Sequence, residues 1–282
     1  MEFYKYHGLG NDYLVLDPGR EAPALTPARI RLICDRNYGA GSDGILYGPE
    51  WKDGKPCVRI FNPDGGEAEK SGNGVRIFAR YLKDAGYVKE ESFVLHTLGG
   101  DVGVAYLNAD GSLICAHMGK ATFRAPEIPV AGPDREVVDE PMTFGGETCR
   151  VTCVSVGNPH CVIPLPEISR EKACALGPLV ENAACFPNRI NMQIMKALDD
   201  HTIAIEIYER GAGYTLASGS SSCAAACAAH RLGLTGPDVT VRMPGGELAI
   251  ELRDDGVHMT GKVAAVGTFA PAKQFLDELS LL

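Results

Sequence analysis

Two serines, Ser71 and Ser218, each precede a glycine at the start of a helix-like segment, and they stand 147 residues apart. A helix start leaves backbone N–H groups without intrahelical acceptors, and the helix dipole favours negative charge there. Taken alone, either serine is an N-cap, the position serine prefers. As a repeated pair, with Gly72-Asn73 after the first and Gly219-Ser220 after the second, they point to one carboxylate site shared by two helix starts. The same offset links Asn11 to Asn158, each after a glycine, and Asn62 to Glu209. This set suits a small zwitterion. The amides of Asn11, Asn62, Asn158 and Asn191 donate and accept. Arg210 offers a planar fork for a second carboxylate, and Glu209 beside it accepts from an ammonium group. His160, two residues after Asn158, has the chemistry to orient a substrate or shuttle a proton. Among apolar neighbours it equally suits a satisfied core position.

The elements that must hold these residues repeat with them. Self-similarity at one offset implies a duplicated unit, and 282 residues suffice for two domains with separate cores. The pattern is mixed and strand-rich. Strands are expected over 13–16, 58–61, 93–97, 102–107 and 113–118 in the first half. In the second they fall at 149–155, 161–165, 191–197, 203–208, 239–243, 248–252 and 257–260. Helices are expected over 26–37, opened by Thr-Pro, over 73–84 and over the alanine-rich 220–231. The Pro/Gly-rich segment 126–133 reads as a linker between the halves.

Composition excludes several classes. A formal charge of −9 with no Lys/Arg run argues against a nucleic-acid surface. No apolar stretch approaches a membrane span, and residues 1–6 lack a signal-peptide core, so a soluble cytoplasmic protein is expected. The ten cysteines lack zinc-like spacing, and without a secretion signal a disulfide framework is not expected. Most of them read as small buried hydrophobes. Neither a Rossmann nor a Walker glycine loop is present, and neither serine has the Gly-x-Ser-x-Gly context of a hydrolase.

The ordered motifs His7-Gly8-Leu9-Gly10-Asn11-Asp12-Tyr13, Arg59-Ile60-Phe61-Asn62-Pro63-Asp64-Gly65 and Gly72-Asn73-Gly74 occupy the first half. Gly157-Asn158-Pro159-His160-Cys161-Val162, Arg189-Ile190-Asn191, Tyr208-Glu209-Arg210-Gly211-Ala212-Gly213 and Pro244-Gly245-Gly246 follow. With these, nearly the whole chain resembles the diaminopimelate epimerase family of cofactor-independent amino-acid racemases and epimerases. The resemblance implies an α/β (α+β) fold of two pseudo-symmetric domains, each a β-barrel-like sheet around a central helix, with the site in the cleft between them. Residues 1–120 would form the first domain, with 264–282 returning to it, and 121–263 the second. It implies no cofactor, no metal, a small amino-acid substrate, no nucleic acid or membrane partner, and a homodimer as the candidate assembly.

In the family a cysteine precedes each glycine-led helix. One thiolate removes the α-proton and the opposite thiol returns a proton to the other face. Ser71 and Ser218 occupy those two positions here. The resemblance assigns substrate contacts to Asn11, Asn62, Gly72, Asn73, Asn158, Asn191, Glu209, Arg210, Gly219 and Ser220, and catalysis to Ser71 and Ser218, for which His160 and Glu209 are the candidate bases. Gly44 stands where some members have glutamine, which leaves one polar contact open. The implied reaction is LL- to meso-diaminopimelate, in lysine and cell-wall synthesis. Alternatives are a related isomerase or dehydratase using the serine pair, or a catalytically silent amino-acid-binding homologue. A deliberate cysteine-to-serine replacement would leave the same letters.

Overall fold

The computed structural model describes residues 2–282. The chain forms two compact units: one runs to Ala116 and takes back Gly261–Leu282, and the other is His117–Thr260.

The first unit is built around α2 (Gly72–Asp84), which follows α1 (Pro27–Cys34) in the chain. Val75, Ile77, Phe78, Ala79, Tyr81 and Leu82 are all buried, as is Arg76, so α2 has almost no solvent face. Its neighbours are the strands Phe3–Gly8, Asn11–Leu16, Ile45–Lys52 and Gly100–Tyr106. Asn11–Leu16 pairs parallel with Ile45–Lys52, which pairs antiparallel with Lys55–Phe61. Phe3, Leu14, Leu16, Ile30, Ile33, Ile45, Phe61 and Leu279 form a core beneath α1. The strand Ala264–Phe269 pairs antiparallel with Phe3–Gly8.

The second unit repeats this plan 147 residues on. Pro159–Pro164 pairs parallel with Asn191–Asp199, and that strand pairs antiparallel with Thr202–Glu209. Between the first two of these strands comes α3 (Arg170–Glu181), and the central helix is α4 (Gly219–Arg231). Like α2, α4 has 13 residues and starts at the equivalent position. Its run Cys223 to Ala229 is wholly buried. Alanine and serine side chains allow the surrounding strands to approach a helix that is enclosed on all sides, which a Leu-rich helix of that length would not. A fifth helix, α5 (Lys273–Ser280), ends the chain and buries Leu279 in the first unit.

Three expectations need correction. The segment 126–133 is not a linker. Ile128 and Val130 are 1% and 5% exposed in the second unit's core, and Val130 N and Ala131 N donate to Ala125 O and Cys185 O. Its apolar residues outweigh its prolines and glycines. The first helix stops at Cys34 rather than Asn37, because the Asp35 carboxylate accepts from Asn37 N and Tyr38 N at 2.7 and 2.8 Å and turns the chain. α3 was not expected at all. It holds Pro178 in its last turn and Gly177 before it, residues that read as helix breakers. None of the ten cysteines is in a disulfide, and six are buried.

Candidate functional site

Ser71 caps α2 and Ser218 caps α4. Their backbone angles are nearly the same, φ −137°, ψ 122° and φ −147°, ψ 126°. Ser71 Oγ accepts from Gly74 N at 3.0 Å, and Ser218 Oγ from Ser221 N at 3.4 Å. The cap therefore satisfies the third helical N–H and leaves those of Gly72 and Asn73, or of Gly219 and Ser220, without an acceptor from their own helix. Each helix start is a ready donor pair for an anion.

In the first unit the helix start is fixed from below. Asn73 Nδ2 donates to Asn11 Oδ1 at 3.0 Å, and Asn11 Nδ2 donates to Asp43 Oδ2 at 3.0 Å. Asp43 also accepts from Asp12 N and pairs with Arg36, which in turn reaches Asp12 at 2.7 Å. Burial pushes the Asp12 carboxyl up, but Arg36 and Lys5, the latter at 2.8 Å, hold it below the usual carboxylate range. Beneath Asn73 lies Arg76, with Nη2 2.7 Å from Asn73 Oδ1 and Nη1 3.2 Å from Gly72 O. The amide of Asn11 is thus engaged at both ends and orients Asn73.

The second unit places the equivalent pair with its direction reversed. Asn158 Nδ2 donates to Ser220 Oγ at 3.3 Å, and Asn158 Oδ1 accepts from His160 Nε2 at 2.9 Å. His160 is fully buried. Burial drives its pKa down to about 3, nearby Arg210 acts in the same direction, and the neighbouring Gln193 amide opposes them. A neutral ring whose Nε2 faces Asn158 Oδ1 is placed to orient an amide, from the core position that its apolar neighbours also suited. Gln193 Nε2 donates to Ser221 Oγ at 3.0 Å and steadies the first turn of α4.

Asn191 lies opposite His160 in the parallel ladder. Its Nδ2 donates to Pro159 O at 2.8 Å and its Oδ1 accepts from Arg210 N at 3.0 Å, so it ties the 209–211 corner to the strand carrying His160. Glu209 is half-buried at the end of its strand. Arg210 is exposed, with Nη1 on Asn188 O at 3.1 Å. Asn62 is exposed, on the turn closed by Asn62 N to Gly66 O and Gly65 N to Asn62 O.

One residue that the sequence reading passed over is Tyr13. Its hydroxyl lies 3.3 Å from Ser71 Oγ. It stands 147 residues before His160. The repeat offset alone would have found it. Its ring also crowds Gly44. A Cβ there would lie 2.6 Å from Tyr13 Cε1 and 2.5 Å from Phe61 O, so a side chain has no room at that position.

The diaminopimelate epimerase family model matches residues 3–124 and 152–266. The "Diaminopimelate epimerase 2" of Nostoc sp. (strain PCC 7120) is 52% identical over 265 residues, covering 93% of both chains. The diaminopimelate epimerase of Moorella thermoacetica is 38% identical over 271 residues, covering 94% of this chain and 97% of that one. Among solved structures, a probable proline racemase from Agrobacterium radiobacter K84 aligns with a TM-score of 0.70 at 16% identity, over 96% of this chain and 92% of that one. A hydroxyproline epimerase from Agrobacterium vitis aligns at 0.68 and 15%, over 95% and 91%. At such identities these two speak to the fold alone.

Proposed function

The chain belongs to the diaminopimelate epimerase family, and on that premise we propose that it exchanges the α-proton of a diamino-dicarboxylate of the diaminopimelate type, without a cofactor and in the cytoplasm. The observation that carries this is the pair of serine N-caps at equivalent positions of two 13-residue central helices. In this reading Ser71 and Ser218 flank one α-carbon from opposite faces. The N–H groups of Gly72, Asn73, Gly219 and Ser220 hold the α-carboxylate. One serine, as its alkoxide, takes the α-proton and becomes the hydroxyl, while the other hydroxyl gives its proton to the opposite face of the carbanion and is left as the alkoxide. Asn11, Asn158 and His160 act as positioning residues. Asn62, Glu209 and Arg210 take the distal amino-acid end, with Arg210 on its carboxylate and Glu209 on its ammonium, while Asn191 holds the 209–211 corner in place.

Ligand binding with little turnover is the second reading. It is favoured by the partners of the serine oxygens, which are backbone N–H groups and a phenol rather than an imidazole or a carboxylate. A serine hydroxyl is far less acidic than a thiol, and a helix dipole worth about 1 kcal/mol does not close that gap.

Calorimetry with diaminopimelate tests the substrate assignment. Arg210→Ala is expected to weaken binding by about 2 kcal/mol or more, as truncating one partner of a desolvated charge pair does. His160→Gln is expected to weaken it much less. Equal affinity for the unaltered chain and the Arg210 variant would mean that no distal carboxylate is bound there.

A further inference from the structure

Away from the helix starts, the second unit gathers a second set of chemical groups. His117, Asp255 and His258 bring one ligand atom each within 4.8 Å of one another. His258 Nε2 is 3.0 Å from Asp255 Oδ1, and His117 Nε2 is 3.2 Å from the Asp255 carbonyl oxygen. The imidazole rings are 4.8 Å apart and inclined at 45°, so they are not stacked face to face. Two backbone bonds set this register: Met118 N to Val257 O at 2.8 Å and Val257 N to Gly119 O at 2.9 Å. Asp255 sits in the turn before the strand Gly256–Lys262, and His117 ends the strand Leu113–His117. Gly256, at φ +146°, is what lets His117 lie over that turn. A Cβ there would be 2.8 Å from His117 Nε2 and 2.6 Å from Gly119 O.

The cluster lies well away from Ser218. Gly256 and Val257 line a cavity of about 320 Å³ together with Cys227, His230 and Arg231, which belong to the last turns of α4. Ser218 caps the opposite end of that helix, about 20 Å away at 1.5 Å per residue.

We propose that His117, Asp255 and His258 bind a divalent first-row transition-metal ion of the zinc class. Two imidazoles and one carboxylate are a borderline-soft set that suits Zn²⁺, Co²⁺ or Ni²⁺ and excludes the all-oxygen preference of Mg²⁺ and Ca²⁺. Ligands at about 2.0–2.2 Å from one tetrahedral ion lie roughly 3.4 Å apart, so modest side-chain rotation closes the set. All three residues are at least partly exposed and have that freedom. Three protein ligands leave the fourth position to water. The ion staples the turn at Asp255 to His117, at the start of the second unit. It takes no part in chemistry at the serines.

Cobalt(II) titration of the chelator-treated full chain tests this. Visible absorption counts the bound ions and reports thiolate ligation as a charge-transfer band. One Co²⁺ per chain, without that band and displaced by Zn²⁺, is the expected result. Affinity should fall more than tenfold, the loss that even an outer-shell partner can cause, in His117→Ala and His258→Ala. It should fall likewise in Asp255→Ala, an exposed position whose change leaves the backbone acceptor in place. His201→Ala, at a histidine outside the cluster, should bind as the unaltered chain does. Circular dichroism checks that each variant is folded. No binding, cobalt held only through thiolates, or unchanged affinity in the folded Asp255 variant would overturn the assignment.

Discussion

Replacing Ser71 and Ser218 together by cysteine is expected to raise α-proton exchange on diaminopimelate by about 10²- to 10⁴-fold, the range supplied by well-matched positioned proton-transfer groups. The argument is one of acidity. A thiol starts near 8.5, and a helix N-terminus can bring it down into the working range. Both helices already offer the required setting, since each serine oxygen accepts an N–H from its own first turn. A serine oxygen in the same place becomes a base only at much greater cost. Either single cysteine should help far less, because inversion needs a base on one face and an acid on the other. Exchange is followed by proton NMR in deuterium oxide. A double variant no faster than the unaltered chain would mean that the pocket serves a different reaction, and the epimerase reading would give way to another isomerase or a lyase.

The second large effect is on stability against pH. His160 binds a proton in the unfolded chain near pH 6.5 but in the folded chain only near about 3. Above pH 6.5 the ring is neutral in both states and the stability is full. As pH falls from 6.5 towards 3, only the unfolded state gains the proton, so stability is lost across that window. At about 1.4 kcal/mol per pH unit the loss is on the order of 5 kcal/mol. Gln in place of His160 can still donate to Asn158 and does not titrate. Melting curves of His160→Gln should therefore fall less steeply with acid than those of the unaltered chain. Parallel curves for the two proteins between pH 7 and 4 would contradict the buried neutral ring.

The repeat was legible because duplicated residues kept their spacing. Ser71 with Ser218, Asn11 with Asn158 and Asn62 with Glu209 all stand 147 apart, and the two central helices start and stop at the same offset. The strands were legible where apolar residues alternate. Phe3–Gly8 escaped, because Tyr4, Lys5 and His7 mask its buried positions Phe3 and Tyr6. α3 escaped because Gly177 and Pro178 signal a break, although Ala173, Leu176 and Val180 bury one face.

At the site, residue types were legible but their attachments were not. The amides of Asn11, Asn158 and Asn191 looked like substrate donors, yet each is engaged within its own unit. A sequence shows which side chains can bond and not which bonds they already make. The same limit left open which of its two readings His160 takes, a choice that its burial decides, and hid the proximity of Tyr13 to Ser71.

The central claim is that Ser71 and Ser218 serve one α-carbon. The most direct measurement is proton NMR of LL-diaminopimelate in deuterium oxide with the unaltered chain, beside Ser71→Ala and Ser218→Ala. The account predicts slow deuterium entry at one of the two α-carbons, lost in either alanine variant while ligand binding persists. Exchange that survives in both alanine variants, or measurable binding by the unaltered chain with no exchange at all, would contradict it.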